Sequence, residues 1–269
     1  MGHPLKAFAR WRMERLLHRH GIADELWLPV LGLNAMQALS AEEQTRLREL
    51  TTLFLHRKSF HGTHGFVVEP YMQVVIAAQA CLLVLNLGLE YFRGWRGVVL
   101  YETGFIARHE YQDEDGIVHQ VEDALDGEAW EQGPVILSWE EVQMGLQRHP
   151  DDPPFNVVLH EFAHKLDFLS GDANGCPPLH RDVSPARWKA AFLETYETLC
   201  SQVDHDEPTA IDPYAAESPA ELFAVASESF FEAPTRLRVE LPEVYRQLAA
   251  FYRLDPAARA SATAASQMW

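Results

Sequence analysis

The sequence predicts an α+β fold that is mainly helical and contains a small sheet. Apolar residues recur at helical spacing over most of the first ninety residues and again over residues 153–252. Between these regions lie three short runs rich in β-branched residues, at 97–101, 116–119 and 134–138, each bounded by glycine, proline or acidic residues. Helical and strand segments separated in this way are typical of an α+β domain.

The N-terminal helices are indicated by periodicity and by capping residues. Residues 4–20 place apolar and basic side chains at helical spacing, which is the pattern of a basic amphipathic helix. Ser40 and Glu43 match a capping box, which predicts a helix that continues to Leu55. A long apolar run over residues 69–87 predicts a third helix.

We expect residues 1–255 to form one domain, because no segment of this sequence has the composition of a linker. Residues 1–90 would be its helical N-terminal part, and residues 91–255 would be its core. The remaining residues, 256–269, are rich in alanine and serine and lack apolar periodicity. This tail is expected to be disordered.

The charge balance argues against nucleic acid as a direct partner. The chain has 22 basic and 39 acidic side chains, which gives a formal net charge of −17. A negative field of this size repels phosphate backbones. The first sixty residues are the exception, with nine basic and six acidic side chains. A charge-driven contact with an anionic surface would therefore involve this N-terminal segment.

Cysteine usage and hydropathy predict a cytoplasmic protein without a membrane span. No C-x-x-C pair is present, and the three cysteines are widely separated: Cys81, Cys176 and Cys200. This usage fits a reducing compartment better than a disulfide framework. The first thirty residues contain no apolar stretch of signal-peptide length. The longest apolar run, 74–89, is interrupted by Gln79 and is too short to span a bilayer.

The segment His160-Glu161-Phe162-Ala163-His164 matches H-E-x-x-H. On a helix, two imidazoles one turn apart bind one zinc ion, and the intervening glutamate, Glu161, serves as general base. At about 100° per residue both imidazoles lie on one helix face. The opposite face is apolar and carries Phe155, Val158, Phe162, Leu166 and Leu169. A ligand face opposite an anchoring face is the arrangement that a catalytic zinc helix requires.

A third protein ligand must come from elsewhere in the chain, because a catalytic zinc site has three protein ligands and one open position. In the longer motif H-E-x-x-H-x-x-G-x-x-H, all three ligands are histidines. This chain has Asp167 in place of the glycine and Ser170 in place of the last histidine, so that ligand set is excluded. The downstream acidic candidates are Glu217, Glu221 and Glu228. Glu221 also completes a capping box with Ser218, which gives it a structural alternative. The residue pattern leaves both roles open.

Two further carboxylates have ambiguous roles. Asp167 lies one turn beyond His164 on the ligand face and would either orient an imidazole or be an ordinary solvated residue. Glu228 lies two turns beyond Glu221 and presents the same ambiguity.

Several separated motifs together resemble the Mlc titration factor A family of zinc metallopeptidases. Their order and spacing agree over residues 10–255. The motifs are residues 160–167, the run 74–83 with 86–92, residues 133–139, and Tyr214 placed seven residues before Glu221.

This resemblance implies a particular site. The zinc ligands would be His160, His164 and Glu221, and Tyr214 would donate a hydrogen bond in the transition state. The core would be zincin-like, with an HExxH helix and a downstream glutamate ligand as in gluzincins. It would be similar to the catalytic core of the anthrax lethal factor protease.

Two functions follow from the motif and the resemblance. The first is a zinc-dependent peptidase, aminopeptidase-like on short peptides, in which an extended substrate pairs with residues 134–138 if they form an edge strand. The second is a regulatory protein that binds and sequesters the repressor Mlc, as the family's name implies. The two functions are compatible.

Overall fold

The computed structural model describes residues 14–112, 118–125, 127–129, 133–149 and 152–259. It confirms the predicted α+β fold, mainly helical with a small sheet. Residues 14–20 are helical and form the described end of α1, while residues 4–13 of the predicted basic helix lie outside the described part. The helices that follow are α2 (Asp24–Leu31), α3 (Ala41–Arg57) and α4 (Pro70–Leu83).

The remaining helices lie in the C-terminal half of the chain. They are α5 (Trp139–Leu146), α6 (Val157–Asp167), α7 (Pro185–Asp204), α8 (Pro219–Glu232), α9 (Pro234–Glu240) and α10 (Pro242–Tyr252). Short 3-10 turns at Asn34–Met36, Leu89–Phe92, Phe168–Ser170 and Pro213–Ala216 connect several of them.

Two helix boundaries test the capping and periodicity arguments. The Ser40–Glu43 capping box is confirmed, because each side chain accepts the other residue's backbone N–H. Helix α4 ends at Leu83, earlier than predicted. The apolar run continues beyond Leu83, but the backbone of residues 84–87 forms turns with hydrogen bonds between residues three apart. Gly88, which has a positive φ, follows these turns.

The main sheet has four strands in the order β1-β2-β6-β5. β1 (Ser59–Gly62), β2 (Gly97–Tyr101) and β6 (Val135–Ser138) are parallel, and β5 (Gly127–Ala129) is antiparallel to β6. Strand β1 was not predicted, because its residues are mostly exposed and lack apolar alternation. The proposed edge strand at 134–138 is wrong, since β6 pairs on one side with β2 and on the other with β5.

A separate hairpin lies between β2 and β5 in the chain. It pairs β3 (Phe105–Gln112) with β4 (Val118–Leu125) in antiparallel register. The predicted strand at 116–119 is therefore part of a longer element, and its residues 116 and 117 lie outside the described part.

The prediction of a disordered C-terminal tail is wrong for residues 256–259, the first residues of the tail. Residues 256–259 form a helical turn, and Ala257 is fully buried. The hydroxyl of Tyr245 accepts the N–H of Ala257 at 3.0 Å, a tertiary contact that holds the turn. The rest of the tail lies outside the described residues. Within the described residues, no helix is both long and apolar enough to cross a membrane.

Helix α6 is part of the core. The residue pattern predicts that one of its faces is polar and the opposite face apolar. Its apolar side chains Val158, Phe162 and Leu166 are buried. Three aromatic rings surround Phe162, with centroid distances of 5.8 Å to Phe54, 5.3 Å to Phe92 and 5.7 Å to Trp95. We call this side of the helix the aromatic face of α6. Phe155 and Leu169, predicted for the same face, lie just outside the helix.

Candidate metal centre

Helix α6 positions the two imidazoles. The Asn156 side chain caps its start by accepting the backbone N–H of Leu159 at 3.0 Å. His160 and His164 follow one turn apart, and their Nε2 atoms lie 3.2 Å from each other. The two nitrogens therefore point to the same place, on what we call the ligand face of α6.

Helix α8 brings the third donor. Ser218 caps its start by accepting the backbone N–H of Glu221 at 3.2 Å, with Pro219 at the first helical position. The Glu221 carboxylate does not complete the capping box. Its two oxygens instead lie 3.0 Å from Nε2 of His160 and 3.3 Å from Nε2 of His164. The same residue thus has a capped backbone and a side chain that faces α6.

The three donors fit a zinc ion. His160, His164 and Glu221 each offer one ligand atom, and these atoms lie within 4.8 Å of one another. A tetrahedral zinc ion with bonds of about 2.0–2.1 Å places neighbouring donors about 3.3 Å apart. The two Nε2 atoms lie 3.2 Å apart, and each lies 3.0–3.3 Å from a different oxygen of the Glu221 carboxylate, which is close to that spacing. Two imidazoles and one carboxylate are also a donor set that catalytic zinc sites use.

The electrostatics of the site favour a cation. Burial raises the pKa of Glu221, but the two imidazoles outweigh it and lower the pKa to about 2. Burial lowers the pKa of His160, but hydrogen bonds with Glu221 and Glu228 outweigh it and raise the pKa well above its usual value. Glu221 is therefore ionised at neutral pH, the form in which a carboxylate binds metal.

Glu228 orients His160, which resolves one of the ambiguities left by the sequence. Its Oε1 lies 2.7 Å from Nδ1 of His160, and the carboxylate accepts the Nδ1 hydrogen. Its Oε2 accepts the backbone N–H of Asn156 at 2.6 Å. With the proton held on Nδ1, the Nε2 lone pair of His160 is directed at the donor cluster. Glu228 thus lies outside the group of His160, His164 and Glu221 that could hold a metal, and it contacts His160 instead.

Asp167 has a different role from either one predicted. It is fully buried, so it is not a solvated residue, and burial raises the pKa of its carboxyl group. Its Oδ2 accepts the backbone N–H of Gly175 at 2.7 Å. Gly175 has a φ of +75°, and a Cβ there would lie 2.3 Å from the carbonyl oxygen of Pro219. Asp167 therefore holds the loop that packs against the start of α8.

Of the two predicted catalytic side chains, Tyr214 lies next to His160, and Glu161 is buried and interacts electrostatically with His160. Glu161 is 4% exposed and follows His160 directly on α6. Tyr214 lies in the Pro213–Ala216 turn, which Asp212 caps by accepting the Tyr214 N–H at 2.9 Å. Its ring is 48% exposed, with its centroid 6.1 Å from that of His160. The exposed residue Glu217 is not part of the donor cluster.

The fold and the site are those of a metallopeptidase, with an HExxH helix and a second helix whose side chains could hold a metal ion. The family model for the glucose-regulated metallo-peptidase M90 matches residues 8–253, and the chain belongs to this family.

The chain is also similar to two proteins called Mlc titration factor A. One is from Yersinia pestis (strain Pestoides F) and the other from Yersinia pseudotuberculosis serotype O:1b (strain IP 31758). Each is 37% identical over 237 residues, which cover 87% of this chain and 86% of the relative.

Proposed function

We propose that the protein is a zinc-dependent peptidase, aminopeptidase-like on short peptides, that acts in the cytoplasm. The observation that carries this proposal is the convergence of His160, His164 and Glu221 within 4.8 Å. Membership in a metallopeptidase family supports the same chemistry. The three cysteines are free, which supports a reducing compartment.

Each residue around the donor cluster has a separate role in hydrolysis. Zinc would polarise the scissile carbonyl and lower the pKa of water. The Glu161 carboxylate takes the proton of the attacking water and later returns it to the leaving amine. Tyr214, exposed beside His160, donates a hydrogen bond from its hydroxyl to the developing oxyanion. Glu228 keeps His160 in the tautomer that binds metal.

Metal content and hydrolysis test the proposal directly. The purified protein should contain about one zinc ion per chain and hydrolyse amino-acid nitroanilides, and a chelator should abolish the hydrolysis. His164→Ala should lose most of the zinc, because two remaining protein ligands bind far more weakly than three. His205→Ala is a matched control, since His205 is exposed at the end of α7. Stoichiometric zinc in both His160→Ala and His164→Ala would contradict the assignment.

We also propose a second function, binding of an Mlc-like transcriptional repressor. It is supported by the name of the relatives, Mlc titration factor A. The net charge of −17 supports contact with the repressor protein and not with its DNA. Glu161→Gln should abolish hydrolysis and leave repressor binding intact, as measured by calorimetry with purified repressor. Loss of binding in a correctly folded Glu161→Gln protein would contradict an independent regulatory function.

A further inference from the structure

A cavity of about 480 Å³ lies behind α6, on the side of its aromatic face. Its floor includes the three rings that contact Phe162, and its rim is basic. We call it the cationic pocket. The charged residues that line it are Arg57, Lys58, Glu90, Arg93 and Arg96.

The charge of the cationic pocket is opposite to that of the chain. Three arginines and one lysine face a single carboxylate, Glu90, in a protein whose net charge is −17. Arg57 reaches Glu90 only at 3.8 Å, and both side chains are at least half exposed. Arg93 and Arg96 are exposed and form no ion pair with any carboxylate that the structure describes. Among the described residues, the pocket therefore has more positive than negative side chains, with Glu90 as its only carboxylate.

The backbone holds these cations in place. Gly94 has a φ of +94°, and this turn presents Arg93 and Arg96 on either side of the buried Trp95. The carbonyl of Arg96 accepts the N–H of Ser59 at 2.9 Å, next to β1. These contacts fix the backbone that carries Arg93 and Arg96.

Lys58 is packed deep in the same pocket. Its Nζ donates to the carbonyl of Trp95 at 2.7 Å and lies 3.3 Å from the Trp95 ring centre. Burial lowers the pKa of Lys58 to about 7, and repulsion from Lys165, Arg57 and Arg96 adds to the effect. The cations are therefore close enough to destabilise one another, and a bound anion would relieve that repulsion.

A purely structural role accounts for only some of the basic side chains in the cationic pocket. His56 and Arg57 lie in the last turn of α3, where positive charge complements the helix dipole. Arg93 and Arg96 have no such position, because they follow a 3-10 turn of only four residues. In addition, the buried Nε1 of Trp95 has no hydrogen-bond partner within the described residues. A donor without a partner is costly to bury.

We propose that the cationic pocket binds a small molecule through a phosphoryl group. Arginine forks match the oxygens of a phosphate in a bidentate manner, and a phosphate monoester carries about −1.5 to −2 charges at pH 7. A volume of about 480 Å³ lies in the range of small-molecule sites. The site is separate from the metal centre and does not depend on the peptidase proposal.

The position of the pocket places its ligand against α6. Phe54, Phe92 and Trp95 line the cavity and also contact Phe162. Phe162 directly follows Glu161 in the HExxH motif. A phosphorylated ligand would thus rest on the rings that anchor the helix bearing the metal donors.

Isothermal titration calorimetry with inorganic phosphate tests the proposal on the full-length, metal-loaded protein. The wild type should bind phosphate, and Arg93→Gln/Arg96→Gln should bind it at least about tenfold more weakly, since two charged donors are lost. Arg187→Gln/Lys189→Gln is the matched control, because it removes the same charge from exposed positions on α7 and should bind like the wild type. Arg57→Gln should weaken binding independently if the double variant folds poorly.

Each other result would overturn the proposal. Absence of phosphate binding to the wild type at millimolar concentration would exclude the site. Unchanged binding in Arg93→Gln/Arg96→Gln would place the phosphate elsewhere, including at the metal. Equal weakening in both double variants would show only an effect of net charge. A phosphoserine peptide that binds far more tightly than free phosphoserine would assign the pocket to a protein partner instead of a small molecule.

Discussion

The ligand face and the aromatic face of α6 are both buried, but they are stabilised by different forces. The ligand face carries ionisable groups whose contacts come from α8, with His160 held between Glu221 and Glu228. The aromatic face is held by dispersion and apolar burial, since Phe162 is fully buried among three rings. Burying charged groups is costly unless they are paired, whereas aromatic burial is favourable without further partners.

This difference indicates that the fold of α6 does not depend on its metal. The aromatic face anchors the helix to α3 and to the segment before β2, and these contacts remain when the ligands change. Substitutions on the ligand face should therefore alter metal binding or turnover, and substitutions on the aromatic face should alter stability. The following four changes test this division, starting with the largest expected effect.

Glu161→Gln tests chemistry without altering the donor set. Turnover of amino-acid nitroanilides should fall by roughly 10²–10⁴-fold, because the neutral amide cannot accept the proton of the attacking water. Zinc content and the free energy of unfolding should stay near those of the wild type. Glu140→Gln, at an exposed position of α5, is the control and should be fully active. Normal turnover in Glu161→Gln would refute the general-base role.

Phe162→Ala tests the aromatic face. The free energy of unfolding should fall by about 3–5 kcal/mol, the usual cost of replacing a fully buried phenylalanine. Denaturant titration measures the change. Met144→Ala is the comparison, because Met144 is 58% exposed and its replacement should change stability by no more than about 0.5 kcal/mol. A small effect at Phe162 would mean that α6 is anchored mainly through its ligand face.

Glu228→Gln tests the support of a metal ligand. The affinity for zinc should fall by about 10–100-fold, because the hydrogen bond that orients His160 becomes weaker. Competition with a calibrated chelator measures this change. Glu197→Gln, exposed on α7, should bind zinc like the wild type. If Glu228→Gln binds zinc as tightly as the wild type, the contact with His160 is structural only.

Ser218→Ala tests the capping contact alone. It should lower the free energy of unfolding by about 1 kcal/mol through loss of the helix cap, with zinc content unchanged. Glu221→Gln is the reverse case: the backbone cap remains, but zinc affinity and hydrolysis should both fall. Full zinc occupancy in Glu221→Gln would remove Glu221 from the ligand set.

Much of the site could be predicted because its signals are local. The spacing of His160 and His164 places both imidazoles on one face through the 3.6-residue period of the helix. The caps at Ser40 and Ser218 also depend on residues only three positions away. The same helical spacing singled out Glu228, two turns after Glu221 on one helix, but left its role open. Its partner in α6 could not be read from that spacing.

The sequence by itself determined the mainly helical regions, the caps at Ser40 and Ser218, the ligand face of α6 and the family to which the motifs point. The tertiary structure decided which way the Glu221 carboxylate turns, which acid holds His160 and where Asp167 is buried. It also placed β6 between two strands and brought Arg57 beside Arg93 and Arg96. The physical reason is that periodicity and capping act over one or two helical turns, whereas these contacts join segments far apart in the chain and depend on how the elements pack.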